Sequence, residues 1–366
     1  MTENSIILII LIALLIINVI ISAFSGKEEK TISGTLISSG ITLIMSGIPE
    51  LSEMILGIIA TMLNSSLVDT DGSYKFRFVS GILLVIAGIY LKYKVNERIY
   101  VLNMYGVAVQ KDIDEIKAIK KLRLSEYKVK EQIIDFTPFF DGMSMKQNVN
   151  SKICQQIEKS TTKFATKVTD QKFSCFTGMA PIPYTVYAGT YLENAKITRY
   201  FEYCNANGGD YYELKKASKK GKAQIPGLKL TFPPHLDPTA SEIVLAISIS
   251  HEVRHQDLSQ FAMDIVTLSL DEPKDNVIRY TQQLDSYKHT IYQCIETDLF
   301  NKYPNLTTIH IAASIPSCMS IEIGKSIGVR ANRVHDIVVH HYIGSSNPPY
   351  TFGLYVSGSK KGQLYH

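Results

Sequence analysis

Long apolar runs dominate the first residues of the chain, and they constrain its fold more than any other feature. The residues from Ser5 to Ala23 are almost wholly isoleucine and leucine, close to the roughly 20 residues that a helix needs to cross a hydrocarbon core. No basic segment precedes this run, and it is longer than the apolar part of a secretory signal peptide. We therefore predict a membrane helix over residues 5–24.

Two further apolar stretches complete a predicted transmembrane region over residues 1–95. One covers residues 32–63 and predicts a long kinked helix, and the other covers residues 78–93 between basic residues. Three spans with the amino terminus outside place Lys27, Lys30 and the lysines after the last span on the inner side, as the positive-inside rule favours. We expect a multi-pass membrane protein whose remaining residues face the cytoplasm.

The middle stretch contains a proline and two glutamates, Pro49, Glu50 and Glu53. The glutamates are three residues apart and share one face of a helix. One interpretation places Pro49 at the membrane edge and both carboxylates among the lipid headgroups. The other makes them a polar seam that lines a pore or a subunit contact, because carboxylates at membrane depth usually face a bundle interior or water.

Small residues recur along the apolar stretches. They allow helix backbones to approach closely inside a membrane. The glycines that we expect at such contacts are Gly34, Gly40, Gly47, Gly57, Gly81 and Gly88.

The rest of the chain has the composition of an ordinary soluble protein. The formal net charge of the whole chain is +4, which is too small to indicate binding to a DNA or RNA polymer. The cysteines are widely spaced without a Cys-x-x-Cys pair, so neither a disulfide framework nor a cysteine-bound zinc ion is predicted. We expect a reducing compartment, no cofactor and no metal.

Residues 96–130 are rich in charged side chains and predict a helical connector that leaves the membrane. Beyond them, short β-rich runs alternate with helical ones, which is typical of an α/β domain. The predicted strands cover residues 132–137, 172–177, 198–203, 243–249, 307–313, 334–340 and 350–356. The predicted helices cover residues 149–167, 257–266 and 277–300.

The α/β segment contains a weak internal repeat. In each half a strand ends in an Ala-x-Ile-Pro segment, residues 180–183 and 313–316, and a helix with a glycine follows, Gly189 or Gly324. Each half also starts with a strand that breaks into a polar loop. The pattern predicts two pseudo-symmetric Rossmann-like halves, and such sheets bind ligands beyond the carboxyl ends of their strands.

These residues resemble the SAVED domain, which consists of two fused CARF-like units and is the sensor module of CBASS-type anti-phage defence in bacteria. The resemblance covers residues 132–356 and rests on the paired Ile-Pro and glycine segments and the strand-rich tail NRVHDIVVHHYIGSSNPPYTFGLYV. It implies a SAVED-like sensor domain over residues 131–366, with halves 131–235 and 236–366. Members with membrane helices are usually described with two spans, whereas three apolar stretches are present here.

The resemblance implies a membrane-embedded effector rather than an enzyme. In that family, a partner nucleotidyltransferase makes a cyclic oligonucleotide after infection, and the SAVED domain binds this ring of two, three or more nucleotides. Association into a homo-oligomer and rearrangement of the helices would then disrupt or permeabilise the bacterial inner membrane and cause abortive infection. The lipid bilayer is the expected target.

A cyclic oligonucleotide offers phosphates, hydroxyls and bases, so its site needs backbone N–H groups, hydroxyls, basic groups and aromatic surfaces. We expect these in the loops after the first strand of each half and in the Ile-Pro loops. The candidate ligand-binding residues are Thr137, Phe139, Phe140, Pro181, Tyr184, Ser250, His251, Arg254, Ser314 and Ser317. Core packing is the alternative for the two phenylalanines, and a position at a helix start is the alternative for Tyr184 and Ser317. The basic segment 215–222 either attracts the ligand or is solvated surface.

One motif indicates different chemistry. His251, Glu252 and His255 form His-Glu-x-x-His, which on a helix binds zinc through two imidazoles and uses the glutamate as a general base. A third ligand would come from His289 or Glu296. The strand before the motif and the arginine inside it argue against this membrane-anchored metalloprotease. A membrane-anchored scaffold that binds a protein partner is a further alternative.

Overall fold

The computed structural model describes residues 29–46, 71–96, 98–106, 128–138, 145–168, 173–204, 210–216, 225–328 and 336–365. The chain divides into two units, Met1–Arg98 and Ile99–His366. The first unit is helical where it is described, and the second is an α/β domain.

The first unit contains two helices that pack closely, α1 (Glu29–Ser46) and α2 (Asp71–Asn96). A Cβ atom on Gly40 would lie 2.7 Å from the carbonyl oxygen of Gly81, and one on Gly88 would meet the α1 backbone at 2.9 Å. The predicted role of these three glycines in close helix packing is confirmed. The predicted Gly34 has no described neighbour within 4 Å of such an atom, and the other two predicted glycines lie outside the described residues.

Helix α2 exposes large apolar side chains along most of its length, namely Phe78, Val79, Ile82, Leu83, Ile86, Ile89, Tyr90 and Tyr93. Among the residues that the structure describes, no helix combines the length and the apolar character needed to cross a membrane. The predicted span over residues 5–24 and the second half of the one over residues 32–63 lie outside the described residues. So do Pro49, Glu50 and Glu53, and their roles stay predictions.

The first half of the α/β domain consists of a five-stranded sheet and two helices. The strands are β1 (Arg98–Tyr105), β2 (Lys128–Asp135), β3 (Phe173–Met179), β4 (Arg199–Cys204) and β5 (Asp210–Glu213). Their order is β2-β1-β3-β4-β5, with β1, β3 and β4 parallel and β5 antiparallel to β4. The helices are α3 (Gln147–Val168) and α4 (Ile182–Gly189).

The second sheet has seven strands. They are β6 (Lys229–Thr231), β7 (Glu242–Ser248), β8 (Asp264–Ser269), β9 (Thr308–Ser314), β10 (Asp336–Tyr342), β11 (Tyr350–Tyr355) and β12 (Leu364–Tyr365). Their order is β12-β11-β10-β9-β7-β8-β6, and the four strands β7 to β10 are mutually parallel. The helices are α5 (Thr281–Gln293), a π-helical turn (Cys294–Asp298), α6 (Leu299–Lys302) and α7 (Ser317–Gly328).

The two sheets repeat one topology. The order β2-β1-β3-β4-β5 in the first matches β8-β7-β9-β10-β11 in the second, and β6 and β12 extend the second sheet at its edges. Gly189 follows the end of β3 by as many residues as Gly324 follows the end of β9. The predicted α/β fold with two similar halves is confirmed. The predicted alignment of the two Ile-Pro segments is shifted by two residues, because Pro181 and not Pro183 corresponds to Pro316.

Two helical predictions are wrong at the residues that the structure describes, and residues 107–127 of the predicted connector lie outside them. The connector predicted over residues 96–130 is occupied at its ends by β1 and by the start of β2, because Ile99, Val101 and Leu102 are fully buried in the sheet. The helix predicted over residues 257–266 is replaced by a 3₁₀ turn and β8. The first half of the domain therefore begins at β1, well before residue 131.

A buried carboxylate joins the two halves. Glu322 of α7 accepts hydrogen bonds from the Tyr200 hydroxyl of β4 at 2.5 Å and from the ammonium groups of Lys288 and Lys325 at 2.9 Å. Burial alone raises the pKa of Glu322, but the two lysine charges outweigh burial and hold this pKa below its usual value. The ion cluster therefore fixes β4 of the first half against α5 and α7 of the second.

Candidate functional site

A cavity of about 890 Å³ lies beyond the carboxyl ends of parallel strands from both sheets. The first half contributes residues that end or follow β1, β3 and β4, and the second half contributes those that end or follow β7, β9 and β10. Sheets of this type bind ligands at this edge. A second cavity of about 700 Å³ lies at the opposite, carboxyl-terminal ends of α4 and α7, and none of the candidate ligand residues lines it.

The structure brings six of the ten candidate residues together at the first cavity. They are Pro181, Ser250, His251, Arg254, Ser314 and Ser317. They come from the loops after β3 and β7, the end of β9 and the start of α7, which the two-half topology places side by side. Their part in binding a ligand stays a prediction.

The other four candidates do not line the cavity where they are described. The Tyr184 side chain is fully buried, donates a hydrogen bond to Asn150 at 3.0 Å and stacks on Phe136, so it belongs to the core. Thr137 is exposed and donates its N–H and hydroxyl groups to Asp135 at 2.9 and 2.6 Å. Phe139 and Phe140 lie outside the described residues.

The position of Thr137 has a topological cause. The counterpart of β7 is β1 and not β2, so the loop equivalent to the one after β7 starts at Gly106, which does line the cavity. The loop of Thr137 follows the edge strand instead. Of the basic segment 215–222, the described residues Lys215 and Lys216 do not line the cavity either.

Ser314 organises the loop after β7. Its carbonyl oxygen accepts the N–H groups of Ile249 and Ser250 at 3.0 and 2.9 Å, and its hydroxyl oxygen accepts the His251 N–H at 3.1 Å. Ser317 of the second half links to the first half, because its hydroxyl donates a hydrogen bond to the Gly178 carbonyl oxygen at 2.9 Å. These bonds hold the polar wall of the cavity in one arrangement.

Arg254 is the cationic group of this wall. Its guanidinium lies 3.3 Å from the Asp257 carboxylate and donates to the Tyr342 hydroxyl at 3.5 Å, while that hydroxyl donates to Asp257 at 3.2 Å. The Arg254 side chain is 58% exposed, so it can turn towards an anion in the cavity. The neighbouring His251 imidazole lies 3.2 Å from the Asp275 carboxylate.

Sequence reasoning missed a buried acid in the cavity wall, Glu202 of β4. Its carboxylate accepts the N–H of Cys318 at the start of α7. Burial raises the pKa of Glu202 to about 7, although hydrogen bonds from Cys318 and Ser317 favour the charged form. Its strand-register counterpart in the second half is His341, whose pKa burial lowers to about 4.

Sequence reasoning also missed Tyr203 and Tyr342, which line the cavity beside these two residues. The available signal was that β4 and β10 each end in aromatic or histidine residues. That pattern predicted the strands but not their role, because aromatic residues are common in any strand.

Two buried histidines lie side by side in the second half, and one of them, His340, lines the cavity. His310 is 2.9 Å from His340 between ring nitrogens, and its other nitrogen is 3.3 Å from the Glu242 carboxylate. Burial lowers the pKa of His340 to about 3 and also lowers that of His310. Both shifts favour the neutral imidazole, and a neutral His310 ring can hydrogen-bond to Glu242 through one nitrogen and to His340 through the other.

The His-Glu-x-x-His motif does not have the geometry of a zinc protease. His251 and Glu252 lie in an irregular loop, Arg254 is extended with φ −73° and ψ 138°, and His255 starts a 3₁₀ turn. The two imidazoles therefore do not share a helix face. Across the described part of the chain, no group of three or more His, Cys, Asp or Glu side chains is placed to hold a metal ion.

The fold and the cavity define a two-lobed α/β ligand-binding domain. The family model of the SMODS-associated and fused to various effectors sensor domain, SAVED, matches residues 154–356, which is more than half of the chain. The chain therefore belongs to the SAVED family, and the predicted resemblance is confirmed.

Similar solved structures are those of the Acinetobacter baumannii Cap4 SAVED/CARF-domain containing receptor. The structure with the cyclic trinucleotide 3'3'3'-cAAA is 11% identical in sequence to this chain, with a TM-score of 0.42. The structure with the cyclic trinucleotide 2'3'3'-cAAA is 12% identical, with a TM-score of 0.44. The alignments cover 80% of this chain and 64% of that chain, so less than two thirds of the receptor is spanned. No curated protein matches the chain.

Proposed function

We propose that this chain is a membrane-embedded effector of bacterial anti-phage defence that is activated by a cyclic oligonucleotide. The observation that carries the proposal is the cavity that both halves of the SAVED domain build at the carboxyl ends of their strands. A partner nucleotidyltransferase would supply the ring. The protein itself acts as a sensor and effector and not as an enzyme.

The chemistry of the cavity supports a nucleotide ligand. Its volume of about 890 Å³ lies towards the upper end of the roughly 300–1,000 Å³ usual for small-molecule sites. Arg254 offers a guanidinium for a phosphate, and Ser250, Ser314 and Ser317 offer hydroxyl groups. A ring that touches both walls would bind the two halves together.

The amino-terminal unit supports a role in the membrane. The apolar stretches over residues 5–24, 32–63 and 78–93 predict helices in the inner membrane, with the SAVED domain in the cytoplasm. Where α2 is described, it exposes large apolar side chains such as Leu83, Ile86 and Ile89, which a bilayer would cover.

Activation follows from differential affinity. A ligand shifts an equilibrium only if it binds one state more tightly, so the ring must favour an associated state of the sensor domains. Association would bring the helices of several chains together in a homo-oligomer and permeabilise the bilayer, which causes abortive infection.

The test is a titration of the full chain, purified in detergent, with a panel of cyclic di-, tri- and tetranucleotides. Thermal shift and calorimetry are measured with and without a zinc chelator. Stabilisation by one ring that is indifferent to the chelator is expected, because a ligand that binds only the folded state raises the melting temperature. If every ring leaves the chain unchanged, the sensor proposal is wrong and the protein-binding scaffold gains support.

A further inference from the structure

Two tyrosine pairs occupy equivalent places in the two halves of the domain. Tyr203 is the register partner of Tyr211 across β4 and β5, and Tyr342 is the register partner of Tyr350 across β10 and β11. Both pairs have ring centroids 5.3 Å apart, with interplanar angles of 66° and 65°. The same edge-to-face unit is therefore built twice.

Each pair has one supporting ring and one accessible ring. Tyr211 and Tyr350 are 4% and 5% exposed and pack in the core, and Tyr350 also reaches the cavity wall. Tyr203 is half-buried and Tyr342 is 38% exposed, and both line the cavity. Core packing alone does not explain why both halves place the outer ring of the pair on the cavity wall.

The rings are held in fixed positions. Strand pairing holds the backbone of each pair, in the second half directly after an irregularity between His341 and Tyr342. An edge-to-face contact places each outer ring against its inner neighbour. In the second half, Asp257 also accepts a hydrogen bond from the Tyr342 hydroxyl at 3.2 Å. A rigid aromatic face at a cavity wall suits a flat aromatic ligand group, because little side-chain entropy is lost on binding.

We propose that Tyr203 and Tyr342 are the two base-stacking platforms of the cavity, each holding one base of the cyclic oligonucleotide. The inference rests on the proposed function and adds the position and chemistry of two contacts. Arg254, which donates to the Tyr342 hydroxyl, stands beside the second platform and takes a phosphate of the same ring. Stacking accepts any base, so the platforms set affinity and placement, while base identity is read elsewhere in the site.

The sequence permits a direct test because it contains no tryptophan. Tyr203→Trp and Tyr342→Trp each introduce one indole that can stack in place of the phenol, and Phe232→Trp, outside the cavity, is the matched control. Each full-length variant is titrated in detergent with the cyclic oligonucleotide that calorimetry shows the wild type to bind. Quenching of the tryptophan emission is expected at positions 203 and 342, at the ring concentration that saturates binding, and not at 232.

Leucine and phenylalanine variants supply the affinity test. Tyr203→Leu and Tyr342→Leu remove the aromatic face and should each weaken ring binding roughly tenfold or more, whereas Tyr203→Phe and Tyr342→Phe should stay within about threefold. Melting curves test whether each variant is folded. Two results would overturn the proposed stacking role and leave the sensor proposal standing. Either a ring that binds the wild type binds both leucine variants with less than a twofold loss of affinity, or its binding quenches neither indole. If no ring binds the wild type, the sensor proposal itself fails.

Discussion

Gly189 and Gly324 lie against each other where α4 of the first half crosses α7 of the second. A Cβ atom on Gly189 would be 2.7 Å from the Gly324 Cα, and one on Gly324 would be 2.8 Å from the Gly189 Cα. The same added atom on Gly324 would overlap the carbonyl oxygen of Val186. The repeated glycine is thus a point of close contact between the two halves, and the helices cannot approach this closely with any larger residue.

Gly324→Ala should lower the free energy of unfolding by about 1–3 kcal/mol, because the extra methyl group must push the two helices apart. Chemical denaturation of the full chain in detergent, followed by circular dichroism, measures the change. Gly227→Ala is the control, since a Cβ atom there meets nothing described within 4 Å and should change stability by less than about 0.5 kcal/mol. Equal stability of both variants would show that the crossing tolerates a side chain.

The Glu322 cluster should make the domain sensitive to acid. The folded pKa of Glu322 lies below its usual value near 4.5, so the stabilisation is fully present above that pH and is lost as pH falls through the folded pKa. Glu322→Gln should remove this loss and cost about 2 kcal/mol at neutral pH, since Lys288 and Lys325 lose the charged acceptor of their hydrogen bonds.

Denaturation curves from pH 3 to pH 7, compared with those of the exposed control Glu272→Gln, measure the effect of Glu322→Gln. The control should follow the wild type at every pH. An acid loss of the same size in Glu322→Gln and in the wild type would contradict the role of this carboxylate.

Glu202 should give the opposite pH dependence. Its folded pKa of about 7 lies above the usual 4.5, so its contribution to stability is complete below about pH 4.5 and is lost as pH rises through 7. The loss should be on the order of 3 kcal/mol, because each unit of pKa difference corresponds to about 1.4 kcal/mol. Glu202→Gln keeps an acceptor for the Cys318 N–H and should flatten the stability profile between pH 5 and pH 8. A profile that declines as steeply in the variant as in the wild type would show that Glu202 is not the titrating group.

Arg254→Gln should weaken ring binding about tenfold with little change in melting temperature, because it removes the exposed cation of the cavity wall and no core contact. The salt dependence of binding should fall at the same time, since one fewer phosphate is neutralised. Calorimetry at two salt concentrations measures both effects. Lys229→Gln, on the edge strand β6, is the charge-matched control and should bind the ring like the wild type.

Much of the fold could be predicted because buried strands carry their own signal. The apolar runs of β7 and β9 and the paired glycines identified two similar halves. Strand β1 is not predicted, because its buried residues come directly before a charged segment and the charges of that segment favour a helical connector. Without β1, the sequence pattern makes β2 the counterpart of β7, and this false equivalence puts Thr137 in the predicted site.

The site was predicted in part for a similar reason. The serines after β7 and β9 follow strand ends, and topology brings such ends together wherever the strands are parallel. Tyr184 is buried in the core although it follows the cavity-lining Pro181 by only three residues, which sequence position alone does not reveal. Glu202, Tyr203 and Tyr342 lie near the ends of strands in two different sheets. Only the folded arrangement shows that these strand ends meet at one cavity.

The most direct test of the account couples ligand binding to membrane output in one preparation. The full chain is reconstituted into liposomes loaded with a fluorescent dye and titrated with the cyclic oligonucleotide that it binds in calorimetry. We predict dye release at the ring concentration that saturates binding, with Arg254→Gln shifting both curves by the same factor. Ring binding without release, or release that is unchanged in Arg254→Gln while binding weakens, would contradict an effector that opens the membrane from this cavity.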